Sequence, residues 1–143
     1  MSFDLRIENG DLKINADGTL STVAGNSKLR QDILKILLTS LGDNKFHPKY
    51  GSHVGKLQIG SYVDERIISL DIESSARTAL RNLMSLQRSQ SRRQSLSPGE
   101  TIVDILGLEV TRDKADPRLY NIFISVATQS LDKIESSITV RIA

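Results

Sequence analysis

Apolar residues recur along the chain first at every second position, then at helical spacing, and finally at every second position again. Near the beginning, Phe3, Leu5 and Ile7 alternate with polar neighbours, which is the period of a half-buried strand. Asn9-Gly10 and the Asp-Gly pair at positions 17 and 18 interrupt this alternation, and such pairs favour tight hairpin turns because both residues tolerate positive φ. Residues 1–25 are therefore predicted to form a β-hairpin region of short strands.

Residues 26–93 are predicted to be mainly helical. The first helix should run from about Ser27 to Leu41, with Asn26 or Ser27 capping its start and Gly42 capping its end. Its apolar residues share one broad face, which two further leucines, Leu34 and Leu38, widen enough to predict cover on more than one side. The members of that face are Leu29, Ile33, Ile36, Leu37 and Leu41. A loop-rich connection with four glycines, residues 42–61, follows.

The second helix is predicted from about Asp64 to Arg88 or slightly beyond. Its apolar residues fall within an arc of about 80° at 100° per residue. They are Ile68, Ile72, Ala76, Ala79, Leu83 and Leu86. An arginine stripe lies within an arc of about 60° on the opposite side. Its members are Arg77, Arg81, Arg88 and Arg92.

The last part of the chain is predicted to be an antiparallel β-meander. A serine-rich stretch, residues 89–99, should be a loop, and three strands should cover residues 101–111, 119–128 and 134–142. The last strand places Ile138, Val140 and Ile142 on one face. The prediction is thus a single α+β domain over residues 1–143, with the meander in residues 100–143.

Composition limits the class of protein without naming a function. The chain has no cysteine, which excludes disulfides and thiolate ligands. No apolar run approaches the roughly 20 residues of a membrane helix, and the first residues lack the pattern of a secretory signal, so neither is expected. The net charge of +2 is too small to define a partner, but residues 74–99 contain five arginines and no acid.

The polar residues do not predict a catalytic or metal centre. Asp64 and Glu65 are neighbours near a helix start, where acids favourably meet the helix dipole, and they would not flank a substrate. His47 and His53 lack a third ligand at a suitable spacing. Phosphate-binding glycine motifs are absent from the sequence. We therefore expect neither an enzyme nor a cofactor.

The arginine stripe and the last strand are the two candidate binding features. The stripe could be a solvated face, a docking site for acidic protein, or a phosphate-binding surface for DNA or RNA. Acidic protein is favoured because aromatic residues are scarce and the net charge is small. The last strand could pair only within the domain or, if it lies at a sheet edge with nothing following to cover it, could accept a strand from a partner.

The order of these elements resembles the W-type baseplate wedge and sheath-initiator family of contractile phage tails. The similar features are Gln31 early in the first helix, the turn Leu41-Gly42-Asp43, and the loop Pro48-Lys49-Tyr50-Gly51-Ser52. One feature of many members is missing. Their Glu-Pro-Arg before the first C-terminal strand is replaced here by Pro98-Gly99-Glu100-Thr101-Ile102, so a contact through that arginine is not carried over.

This resemblance implies structural work in a virion tail baseplate that is made and assembled in the host cytoplasm. Expected partners are other baseplate wedge proteins, the tail sheath protein and, as a further option, the tail tube or hub; neither membrane nor nucleic acid is expected. The candidate partner-binding residues are Arg77, Arg81, Arg88, Arg92, Ile138, Val140, Ile142 and Tyr50. Some members are labelled lysozyme-like, so a small peptidoglycan-degrading enzyme using Glu65 and Glu100 stays an alternative, as does a nucleic-acid-binding module.

Overall fold

The computed structural model describes residues 2–54 and 64–142. Its elements, in chain order, are β1 (Phe3–Leu5), β2 (Ile7–Glu8), β3 (Asp11–Leu12), β4 (Thr22–Ala24), α1 (Gly25–Leu38), α2 (Glu65–Ser91), a 3₁₀ turn (Pro98–Glu100), β5 (Ile102–Arg112), β6 (Leu119–Thr128) and β7 (Lys133–Arg141). This order confirms the predicted α+β class with short N-terminal strands, two main helices and a C-terminal meander. Residues 55–61 of the predicted glycine-rich connection lie outside the described residues.

One hydrophobic core joins both helices to one face of the sheet β5-β6-β7. The helix α2 packs mainly against β5, while α1 packs against α2 and β7. Ile33, Ile72 and Ile122, one from each helix and one from the central strand, are all fully buried. Burying apolar area between two helices and a sheet is the main favourable term for such a layered fold.

The N-terminal region has the predicted turns but not the predicted burial. β1 pairs with β4 and β2 pairs with β3, all antiparallel. Asn9 and Gly10 both have positive φ, 55° and 82°, as a type I′ hairpin turn requires. The apolar side chains of this region, however, are exposed rather than half-buried, because the region lies beside α1 and outside the main core. They are Phe3, Leu5, Ile7, Leu12, Ile14 and Leu20.

The ends of α1 differ from the prediction. The helix begins at Gly25, with Ala24 as its N-cap, and no side chain caps it. The side-chain amide of Asn26 instead donates to the Asp132 carboxylate at 3.3 Å, which ties the helix start to the turn between β6 and β7. The helix ends at Leu38, which is 65% exposed, so this leucine does not extend the buried face. Gly42 lies in a later turn, where its φ is +90°.

The helix α2 is close to its prediction. Asp64 caps it by accepting from the backbone N–H of Arg66 at 3.2 Å, and 27 residues give about 40 Å of helix. The buried face includes Ile72, Ala76, Ala79 and Leu83, as expected, and adds Leu80 and Gln87. The described residues 89–99 are not all loop, because the helix continues to Ser91 and the 3₁₀ turn follows it.

The sheet has one irregular and one regular outer strand. β5 shifts its register against β6 twice, near Asp104 and near Gly107. β6 and β7 pair without a shift from Leu119–Arg141 to Ala127–Lys133. In the described part of the chain no strand pairs with the other side of β7. The last strand therefore lies at an edge of this sheet, which is one of the two arrangements that the sequence left open.

Candidate interaction surfaces

The backbone of β7 presents hydrogen-bonding groups at a free edge. The N–H of Ile142 donates to the carbonyl of Arg118 at 2.9 Å, and the register is constant along β6 and β7. Since antiparallel pairs alternate, the even-numbered residues of β7 bond to β6 and the odd-numbered residues point their N–H and C=O groups outwards. The outward-pointing residues are Lys133, Glu135, Ser137, Thr139 and Arg141.

The three candidate side chains of this strand are not exposed to solvent. Ile138, Val140 and Ile142 are only 9%, 6% and 3% exposed and belong to the hydrophobic core. The same alternation that identified the strand turns these residues towards the helices. A partner at this edge would therefore meet backbone groups and the odd-numbered side chains, and not the three apolar ones that the sequence suggested.

The exposed face of the sheet holds a shallow groove of about 490 Å³ beside β7. Gly107, Phe123 and Ser125 lie in it, with Glu135 and Ser137 at its β7 side. Phe123 is 48% exposed although it is in the central strand. The groove exists because Gly107 has no side chain. A side chain at this position of β5 would cover Ser125.

The arginine stripe is on the surface of α2. Arg81 and Arg88 are exposed, and Arg92 is the residue that ends the helix. Arg77 is partly buried and pairs with Glu73 at 3.2 Å, one turn earlier. Among the described residues, three arginines of the stripe form no ion pair and Arg77 is partly neutralised, which is a smaller cationic surface than the sequence alone predicts.

Tyr50 belongs to a loop that is tied to the helices. Its ring is partly buried against the core, and this burial raises the pKa of its hydroxyl. The next residue, Gly51, has φ +120°, and a Cβ there would lie 2.7 Å from the carbonyl oxygen of Thr39. Ser52 then donates from its hydroxyl to the last-turn carbonyl of Leu37 at 2.6 Å. The Tyr-Gly-Ser segment therefore holds the loop against the end of α1.

Gln31 fixes the N-terminal strands to α1. Its side-chain amide donates to the carbonyl of Leu5 at 2.7 Å and accepts from the N–H of Ile7 at 2.9 Å. Asp4 adds an ion pair with Lys35 at 2.7 Å. Partial burial opposes ionisation of Asp4, but the hydrogen bond and charge of Lys35 outweigh it and lower the pKa of this carboxyl. Gln31 is thus a structural link between two elements.

Glu100 and Glu65, the two acidic residues of the enzyme alternative, each have a partner within the described residues. Glu100 is 1% exposed and accepts from the backbone N–H of Ser97 at 2.9 Å, so a polymeric substrate would not reach it. Glu65 is exposed at the start of α2 and pairs with Arg112 at 3.3 Å. Within residues 2–54 and 64–142, no three His, Cys, Asp or Glu side chains gather closely enough to hold a metal ion. Neither α1 nor α2 is long and apolar enough to cross a membrane.

Comparison with known proteins gives a likeness of fold. No protein-family model and no curated protein sequence matches the chain. Among solved structures, the fold is similar to a Geobacter sulfurreducens protein provisionally named a tail lysozyme, with a TM-score of 0.60 and 15% identity. The likeness covers 82% of this chain and 90% of that one. At this identity it concerns the fold alone, and the chain therefore shares its fold with a protein named for a tail.

Proposed function

We propose that the protein is a structural component of a contractile-tail baseplate, where it joins wedge subunits and helps to start assembly of the sheath. The observation that carries this proposal is the shared fold with a tail-named protein across 82% of this chain and 90% of the other. The order of sequence elements, which resembles baseplate wedge and sheath-initiator proteins, supports the same role. The expected location is the baseplate end of the tail.

The free edge of β7 is the surface best suited to this role. Its nine residues run without a bulge, whereas the register shifts of β5 make the opposite edge a poorer template. Exposed edges without a purpose are usually disguised by bulges, short length or charge. In β7 the outward-pointing residues with that effect are Lys133, Glu135 and Arg141, whereas Ser137 and Thr139 between them are uncharged. A sheath or wedge strand would pair with the middle of β7.

Backbone pairing alone would not hold such a partner. Each hydrogen bond contributes a net stabilisation of about 0.5–1.5 kcal/mol, while ordering a backbone residue costs about 1–2 kcal/mol. Side-chain burial must supply the difference. The groove beside Phe123 and Ser137 offers apolar surface for this purpose, and its position next to β7 would fix the register of the added strand.

A single outward N–H allows a sharp test. Ser137→Pro removes an N–H that points away from β6, and an edge strand tolerates proline at such a position. Ser137→Thr is the matched control, because it keeps the N–H and favours a strand. We expect both variants to fold as the wild type does, as judged by circular dichroism. Only Ser137→Pro should reduce the number of sheathed tails that are seen by electron microscopy.

If tails assembled with a folded Ser137→Pro variant carry a normal sheath, strand addition at β7 is ruled out.

Immunolabelling of purified tails tests the location separately. Label at the baseplate is expected, and label elsewhere on the particle, or none, would contradict the structural role. The further proposed partners, which are other wedge proteins and the tail tube or hub, should be recovered by crosslinking of the same particles.

We also propose that the protein has no hydrolytic activity. A carboxylate-pair glycosidase needs two groups about 5 to 10 Å apart across a cleft, one of them held protonated. Glu100 is too deeply buried for a polymeric substrate to reach it, and Glu65 is paired with Arg112, so neither residue fits these roles. The purified chain should release no soluble fragments from peptidoglycan. Release that is lost in Glu65→Gln would overturn the proposal.

A further inference from the structure

A hollow of about 300 Å³ lies between the loop after α1 and the outer surface of α2. Its apolar wall consists of Phe46, Pro48, Tyr50 and Leu86. Phe46 is 92% exposed and lines the hollow, and aromatic side chains are enriched in the centres of protein interfaces. Neither the arginine stripe nor the edge of β7 accounts for this feature.

The hollow is already formed in the isolated chain. Asn82 on α2 donates from its side chain to the carbonyl of Lys49 at 3.2 Å. The Asn44 carboxamide oxygen accepts from the N–H of Phe46 at 3.0 Å and from that of His47 at 3.2 Å. The loop is therefore held on both sides of the exposed ring. A binding partner would not have to order it, which reduces the entropic cost of association.

A cationic rim adjoins the hollow along α2. Ser85 lines the hollow, and residues three and four positions apart on a helix are surface neighbours. Arg81 is four residues before Ser85, and Arg88 is three residues after it. The ion pairs that arginines form within the described residues are those of Arg77 and Arg112. The two rim arginines therefore have no acidic neighbour in that part of the chain.

We propose that this hollow and its rim bind an acidic protein segment that inserts one large apolar side chain. Arg81 and Arg88 are seven residues apart, or about 10 Å along the helix, so two carboxylates at that separation would each meet a guanidinium. A partner helix with acids seven residues apart and a leucine or aromatic residue midway matches both the charges and the apolar wall. The proposal deepens the baseplate role and rests on it for the identity of the partner.

Protein fits this surface better than nucleic acid. Single strands bind by stacking successive bases on aromatic side chains. The rings lining this hollow are those of Phe46, His47 and Tyr50, and Tyr50 is partly buried against the core. The exposed rings of Phe46 and His47 are neighbours in one loop beside an apolar wall, which suits one inserted side chain better than a row of stacked bases.

The test uses labelled peptides and the full chain. A set of helical peptides of about 14 residues, four turns, carries two glutamates separated by three to seven positions with one Leu, Phe or Trp between them. Fluorescence anisotropy at low and moderate salt measures their affinity, with lysine-substituted peptides and a single-stranded oligonucleotide as comparison probes. We expect the seven-residue spacing to bind most tightly and the lysine peptides not to bind.

Two variants locate the binding. Phe46→Ala removes an exposed ring without touching the core, and Arg81→Glu with Arg88→Glu reverses the rim. Arg30→Glu with Arg118→Glu is the matched control, because it changes the net charge equally at other exposed sites. Reversing the charges of the two arginines that pair with the peptide glutamates should weaken binding by about tenfold or more. The control should change the affinity by less than about threefold.

Each other outcome overturns the proposal. Equal losses in both charge variants would show non-specific attraction, and an unaffected Phe46→Ala would remove the hollow from the site. Tighter binding of the oligonucleotide would assign the surface to nucleic acid. The proposal is also refuted if every peptide of the set has a dissociation constant above about 1 mM. None of these results concerns β7 or the location in tails, so a failure here is distinguishable from failure of the baseplate role.

Discussion

The buried amide of Gln87 should be a large contributor to stability. Its side chain donates to the carbonyl of Glu100 at 2.7 Å and accepts from the N–H of Ile102 at 3.0 Å. Gln87 is 5% exposed, and the two backbone groups belong to buried residues. This one side chain therefore joins α2 to the start of β5 and satisfies the backbone where the chain enters the sheet.

Gln87→Leu keeps the size of the side chain and removes both bonds. Each buried backbone group left without a partner costs about 1–3 kcal/mol, which gives about 2–6 kcal/mol for the pair. Burial of the more apolar leucine returns about 1 kcal/mol. The difference is about 1–5 kcal/mol. We expect a loss near the middle of this range, about 2–4 kcal/mol in the free energy of unfolding, which is a large part of the roughly 5–15 kcal/mol of a typical domain.

Urea unfolding followed by circular dichroism measures this loss. With a slope of about 2 kcal/mol/M, the midpoint of Gln87→Leu should fall by about 1–2 M. Gln90→Leu is the control, since within the described residues the Gln90 side chain bonds only to the exposed side chain of Gln94. This substitution should change stability by less than about 0.5 kcal/mol. A Gln87→Leu midpoint equal to that of the control would refute the reasoning.

Two further predictions concern the loop and the N-terminal strands. Gly51→Ala should lower the melting temperature by at least about 5 °C, because Gly51 has positive φ and its new Cβ would lie 2.7 Å from the Thr39 carbonyl oxygen; an unchanged thermal scan would contradict this. Asp4→Asn should cost about 0.2–1 kcal/mol at pH 7, since the pair with Lys35 is partly exposed. The pKa of Asp4 is lowered from 3.8, so its stabilisation is present above pH 3.8 and is lost as the pH falls through the lowered value. The pKa of Lys35 is raised from 10.5 because Asp4 outweighs the effect of burial, so the same pair weakens again as the pH rises through that raised value. Urea midpoints of the wild type and Asp4→Asn should therefore converge in acid, and a gap that widened there would count against the ion pair.

The periodic patterns of apolar residues were sufficient to predict the type of the main helices and strands. The alternation in the meander and the 3.6-residue period of α2 predicted their type and nearly their limits, because each reflects one buried face. The end of α1 was harder to place. Gly42 looked like a helix cap, yet the helix ends at Leu38, where Ser52 reaches the Leu37 carbonyl from a later part of the chain. No local pattern encodes a partner that is 15 residues away.

The binding surfaces were predicted less well than the elements. Alternating isoleucine and valine mark one apolar face of a strand but do not say whether the core or a partner covers it, so Ile138 was expected at a partner and is buried in the core instead. The exposed hollow beside Phe46 was missed, although an aromatic residue among polar loop neighbours was a usable signal. The two buried hydrogen bonds of Gln87 were not predicted either, because nothing in the sequence around this residue indicates them.

The sequence by itself determined the fold class, the length of α2, the hairpin turns and the acid-free run of arginines, since each depends on the local order of residues. Tertiary structure alone decided that the core covers the apolar face of β7, which of the described arginines form ion pairs, and how Phe46 and Leu86 form one hollow. Those features arise from contacts between segments far apart in the chain, and their free energy depends on distances that spacing along the sequence does not contain.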